Sequence, residues 1–150
     1  MIITRYTDYS LRIMIYLALN QESQCTIQAI ADSYKISKNH LMKIVQALNA
    51  KNYLLATRGK KGGLQLHCSA REISLGQLVR EMEDQSKLVE CFGDDNQCVI
   101  TPSCRLKSIF SEALESFFVT LDKYTLQDLI EPPRQDDLAK LLAIPIKVES

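Results

Sequence analysis

The stretch from Thr26 to Leu48 constrains this chain more than any other. Thr26 can cap a helix, and Ile27, Ile30, Ala31 and Tyr34 then recur at the three- and four-residue spacing of one helical face. A break around Lys35 and Ile36 leads to Ser37, a second cap, after which Leu41, Ile44, Val45 and Leu48 repeat the same period. Two amphipathic helices joined this tightly read as a helix-turn-helix. Off its apolar stripe the second helix carries Lys38, Asn39, His40, Met42, Lys43 and Gln46, with Lys38 to Lys43 near the N-terminal end. Lysine reaches guanine acceptors or phosphates and Asn or Gln pairs with adenine, so this end has the chemistry of a major-groove reader. A solvent-facing helix would carry similar residues, and the neighbourhood has to separate the two.

That neighbourhood is basic. The 18 Lys and Arg balance 18 Asp and Glu over the 150 residues, yet no acid occurs between Ser33 and Arg71, where eight Lys and Arg and both histidines fall. Such asymmetry marks a polyanion-binding module or, on charge alone, a solvated basic face. Beyond the second helix, Tyr53 to Thr57 and Leu64 to His67 read as two short strands flanking Arg58-Gly59-Lys60-Lys61-Gly62-Gly63. Three of the five glycines sit there, freeing the backbone for positive φ and close approach to a partner. The loop lacks Walker spacing and opens no helix, so it reads as a wing rather than a nucleotide-binding loop, and Arg58 can enter a narrow A-T minor groove.

Around this core, Thr7 is expected to cap a first helix with Asp8 in its first turn and Leu11, Met14, Ile15 and Ala18 on its apolar face. Ser74 caps another carrying Leu75, Leu78, Val79 and Met82, and from about Glu83 to Ile100 the chain is acidic and irregular. Thr101-Pro102 predicts the start of a long helix to about Lys123, with Leu106, Ile109, Phe110, Ala113, Leu114, Phe117 and Leu121 as a stripe too wide for a small domain to cover alone. A second subunit is expected to cover it, the plain alternative being a core helix of one chain. Pro132-Pro133 would end the organised part, leaving at most a helical turn around Leu138 to Leu142. The expected fold is mainly α with a small β wing: a winged helix-turn-helix over 1–82, a cysteine-bearing loop over 83–101, a dimerisation helix with a following short helix over 102–131 and a tail over 132–150, assembled as a homodimer. With 46% apolar residues, no membrane-length apolar run and an N-terminus unlike an export signal, a soluble cytoplasmic protein is expected. No residue pattern points to an enzyme.

Cys91, Cys98 and Cys104 fall within fourteen residues. The solitary Cys25 and Cys68 read as small buried hydrophobes. For the three, structural disulfides are disfavoured in a reducing compartment, and Cys-x-x-Cys is absent. Metal ligation remains, by zinc or by an iron-sulfur cluster, and gaps wider than the usual Cys-x2-4-Cys favour the latter. Cys104, expected in the first turn of the long helix, would be held as thiolate by the helix dipole.

Thr7-Asp8-Tyr9, Asn39-His40, Arg58-Gly59-Lys60 with Gly62-Gly63, the run ITPSCRLK from Ile100 to Lys107 and LDKYTLQDL from Leu121 to Leu129 together resemble the nitric-oxide-sensitive iron-sulfur repressors of bacteria, the NsrR family, over about residues 1–131. The resemblance implies a homodimeric winged-helix repressor on an inverted-repeat double-stranded DNA operator. Its [2Fe-2S] or [4Fe-4S] cluster would be held by Cys91, Cys98 and Cys104, with Asp8 of the second copy as fourth ligand. Nitric oxide would act on the cluster, release DNA and derepress detoxification genes. Asp8 has another reading, a first-turn acid that complements the helix dipole and pairs with Arg12 one turn on. A sibling family, the IscR regulators of cluster assembly, carries histidine where this chain has Lys107, a poor cluster ligand. The DNA contacts are assigned to Lys38, Asn39, His40, Lys43, Arg58 and Lys60. Two other functions fit less well: an iron- or redox-sensing regulator of the same fold, and a zinc-stabilised dimeric adaptor with no role on DNA.

Overall fold

The computed structural model describes residues 3–60 and 62–144. Six helices and one hairpin follow each other as α1 (Arg5–Leu19), α2 (Ile27–Tyr34), α3 (Lys38–Ala50), β1 (Leu54–Thr57), β2 (Gly63–Leu66), α4 (Leu75–Met82), α5 (Leu106–Leu121) and α6 (Arg134–Leu141), with short 3-10 turns between them. Helix α1 starts one turn earlier than its sequence suggests. Thr4 is the cap, accepting the Thr7 N–H on Oγ1 at 3.3 Å, while Thr7 lies inside the helix and is fully buried. With Thr7 and Ser10, its buried face is Ile13, Met14, Tyr16, Leu17 and Ala18; Leu11 and Ile15, expected inward, are only partly covered.

Thr26 caps α2 as expected, accepting from Ala29 N–H at 3.0 Å. Lys35 then takes the left-handed conformation, φ 58° and ψ 47°, and Ile36 N–H closes onto the Ala31 carbonyl. That sharp stop aims α3 across α2, burying Leu41, Ile44, Val45 and Leu48 beneath α1. Ser37 occupies the cap position of α3 without making a side-chain bond, so it is not the working cap the sequence implied.

Strands β1 and β2 pair antiparallel from Leu54↔Leu66 to Thr57↔Gly63. Cys25 joins as an isolated bridge, exchanging both backbone hydrogen bonds with Leu64. Gly63 permits this, because a Cβ there would stand 2.8 Å from the Cys25 carbonyl. Ser74 caps α4 by accepting from Gln77 N–H.

The second half departs more. Thr101-Pro102 does start a helical turn, but a 3-10 one that ends at Ser103; Cys104 is extended, and α5 begins at Leu106 and ends at Leu121. At 1.5 Å per residue this is about 24 Å, not the roughly 33 Å expected. The residue of α5 that packs inward is Phe118, absent from the expected stripe, and it is the helix's one buried residue. The chain also stays organised past Pro133. Helix α6 places Ala139, with Leu142 and Ile144 just after it, in the same core as α1 to α3, and the Leu142 carbonyl accepts from Ser33 Oγ at 2.9 Å. The expected tail is therefore structured to Ile144; residues 145–150 lie outside the described residues.

Candidate nucleic-acid interface and cysteine loop

Lys38, Asn39, His40 and Lys43 are all exposed on the first turns of α3. The first amides of α3 lack a side-chain cap, and Lys38 is exposed in that same first turn, a combination suited to phosphate. Arg58 and Lys60 are exposed at the hairpin tip, while the adjoining Lys61 is outside the described residues. Gly59 there has φ 105°, and Gly62 N–H donates back to its carbonyl. A Cβ at Gly62 would collide with the Thr57 carbonyl, so the tight wing requires that glycine.

Asp8 and Arg12 form the ion pair that i,i+4 spacing allows, at 2.8 Å with both side chains near half exposure. The Arg12 guanidinium also lies 5.2 Å from the Tyr9 ring centre and 5.9 Å from that of Tyr34, while the Tyr34 hydroxyl donates to the Arg12 carbonyl. Burial pushes the Tyr34 hydroxyl far above its ordinary pKa, with Arg12 opposing, so it remains a donor. Tyr9 in turn meets His40 edge-on at 5.0 Å. Asp8 is thus connected, through Arg12 and Tyr9, to the exposed face of α3. The sequence did not single out Tyr9 as a contact; its neighbour is thirty-one positions away, and only folding makes them adjacent.

The cysteine loop is built differently. Between Glu83 and Arg105 no residue is buried. All five cysteines are free thiols; Cys98 is exposed, and Cys91 and Cys104 are half-buried. Cys98 N–H donates to Asn96 Oδ1, and the Thr101 hydroxyl donates to the Cys98 carbonyl. Cys104 lies two residues before the first helical residue of α5, so the expected stabilisation of its thiolate in the first turn does not apply. It lines an open cavity of about 610 Å³ with Phe92, Lys107 and Leu114. Among the described residues no three His, Cys, Asp or Glu side chains are gathered as a metal site. The donor set nonetheless suits an iron-sulfur cluster, being three unpaired thiols on a segment that buries none of its own residues. Cys25 is buried in the core as expected, whereas Cys68 is only partly covered at its edge; desolvation raises the pKa of both thiols.

A helix-turn-helix with a basic hairpin on one side defines a winged-helix transcriptional regulator. The chain belongs to the Rrf2 family, whose model, described as an iron-dependent transcriptional regulator, matches residues 3–132. It is 46% identical over 143 residues to the HTH-type transcriptional regulator NsrR of Bacillus licheniformis, covering 94% of this chain and 99% of that protein. Identity to the regulator of the same name from Bacillus subtilis strain 168 is 44% over 142 residues, with 93% and 96% covered. Among solved structures, Staphylococcus aureus CymR superposes with a TM-score of 0.66 at 26% identity, over 85% of this chain and 97% of that one. The T. potens IscR structure gives 0.69 at 21% identity over 99% and 94%, a likeness of fold. These relatives are regulators rather than enzymes. No described helix is long and apolar enough to cross a membrane.

Proposed function

We propose that the protein is a homodimeric repressor that holds an inverted-repeat operator through α3 and the wing and releases it in response to nitric oxide. The observation that carries this reading is the set of three free thiols, Cys91, Cys98 and Cys104, on an uncommitted loop of a winged-helix chain similar to NsrR regulators. These thiolates would hold an iron-sulfur cluster, [2Fe-2S] or [4Fe-4S], with Asp8 contributed across the dimer. When bound, the cluster supplies iron reachable by a small uncharged gas. The chain's own part is the exchange at Asp8. While Asp8 is paired with Arg12, the guanidinium is held beside Tyr9 and Tyr34; when Asp8 ligates elsewhere, Arg12 loses its carboxylate and can reposition Tyr9 against His40. A two-state shift of α3 is what an effector needs in order to change operator affinity.

Lys38 and Lys43 would contact phosphates or guanine edges, Asn39 and His40 base edges, and Arg58 and Lys60 the flanking groove. The second copy would dock on α5, where Leu106, Ile109, Phe110 and Val119 are exposed on one helix. The protein would work in the cytoplasm, where its thiols stay reduced.

The test is an anaerobic titration with nitric oxide. Iron-loaded protein should show visible iron–thiolate absorbance that nitric oxide alters as operator DNA is released, and Cys91→Ala, Cys98→Ala or Cys104→Ala should abolish that absorbance. Asp8→Ala should change the spectrum and the coupling to DNA, whereas Arg12→Ala should change only the coupling. Protein that binds zinc but no iron, or keeps its DNA under nitric oxide, overturns the reading. Operator affinity should fall steeply with salt, and Lys43→Ala should reduce the log–log slope by about 1.

A further inference from the structure

Glu83 closes α4 and opens the cysteine loop. Its backbone N–H donates to the Val79 carbonyl as the helix cap. Its half-buried side chain crosses to the other end of the chain, where Oε2 accepts the Thr4 N–H and the Thr4 hydroxyl, each at 3.1 Å, across 79 positions. Thr4 is the cap of α1: its Oγ1 accepts from Thr7 N–H and its carbonyl accepts from Asp8 N–H at 3.0 Å. One carboxylate oxygen therefore anchors the residue that organises the first turn of α1. A negative charge there also complements the positive end of the helix. The contact borders a partly open cavity of about 110 Å³ walled by Ile3, Leu88, Leu114 and Phe117 and by Asp84, Gln85 and Lys87.

We infer that Glu83 is a positioning residue that fastens the N-terminus of α1, and with it Asp8, to the root of the cysteine loop. A rearrangement of the loop then pulls on α1 within the same subunit, and the Tyr9–His40 contact passes the displacement to α3. This route needs no change in the ligand of Asp8 and acts alongside it. Its effect on DNA rests on the function proposed above, whereas the tie itself does not.

Two measurements on the full chain separate these. In cluster-free protein, Glu83→Ala should raise amide exchange at Thr4 and in the first turn of α1 by about tenfold, with α3 and the hairpin core unchanged. Glu83→Gln should restore most of the protection, since its amide oxygen can accept from both donors. Thr4→Ser, which keeps the hydroxyl, should exchange like wild type. In iron-loaded protein, Glu83→Ala should shrink the ratio of loaded to cluster-free operator affinity, while its visible spectrum stays that of wild type. Unchanged exchange in Glu83→Ala overturns the tie. An equal fall in loaded and cluster-free affinities, with faster exchange throughout the chain, overturns the positioning role and leaves Glu83 merely stabilising. If wild-type affinity does not depend on the cluster, the function reading and the transmission to α3 both fail, and the exchange arm alone decides the tie.

Discussion

Helices α1 and α5 are nearly the same length, 15 and 16 residues, and both are rich in apolar side chains, yet α1 buries seven residues and α5 one. Around α1 the helix-turn-helix, the hairpin and α6 share one continuous core. Helix α5 packs on that body chiefly along α4, with Arg80 stacked 4.9 Å over Phe118 and paired with Asp122 and Glu115. Apolar content thus says that a helix must be covered, not by what. The winged half is covered by its own chain; α5 leaves Leu106, Ile109, Phe110 and Val119 at 39% to 55% exposure, the face that the second copy would cover in the dimer proposed above.

The contrast can be broken most directly by truncating each half. Leu48→Ala removes a fully buried side chain of α3 and should cost about 2–5 kcal/mol by chemical denaturation. Ile109→Ala should cost within about 0.5 kcal/mol in dilute protein, with a loss that grows at higher concentration as dimer stability enters. Comparable, concentration-independent losses would mean that α5 is covered by its own chain. Ile109→Asp combined with Phe110→Asp should leave the winged half folded and give monomers by sedimentation; dimers would place the interface elsewhere.

A smaller effect sharpens the boundary between the halves. A Cβ on Gly76 of α4 would overlap the Asp122 carboxylate and come within 2.8 Å of the Asp122 amide nitrogen at the end of α5. Gly76→Ala should therefore cost about 1–3 kcal/mol and accelerate amide exchange in α5 more than in α3. Exchange rising equally in both would show a single cooperative unit. The smallest effect lies inside the winged half: Thr26→Ala, which removes a working cap, should cost about 1 kcal/mol. Ser37→Ala should cost only a few tenths, because Ser37 makes no capping bond.

The helix-turn-helix, the hairpin and its glycines, and α4 with its Ser74 cap were all legible, because each depends on local spacing: a cap, a period or a turn residue. Errors arose where local signals competed. Thr4 and Thr7 are both plausible caps, and the long-range bond from Glu83 to Thr4 is invisible to any local pattern. Thr101-Pro102 is a sound helix start, yet the turn it begins stops at an extended Cys104. Phe118 carries no signal of its own because Phe117 beside it satisfies the same spacing, and only packing against α4 picks between them. The three thiols stand out by their spacing, but the described residues do not gather them into one site, and the contact of Tyr9 with His40 has no signature in the sequence at all.

By itself, then, the sequence determined the helix-turn-helix, the basic wing, the charge divide and the identity of the thiols, since these follow from residue type and from neighbours a few positions apart. The tertiary structure decided where α1 and α5 begin, that α6 belongs to the core, that Arg12 and Tyr9 connect Asp8 to His40, and that Glu83 holds the cap of α1. Each of those depends on groups brought together across tens of residues, and contacts of that kind are selected by packing and by the pairing of buried polar atoms rather than by any period in the chain.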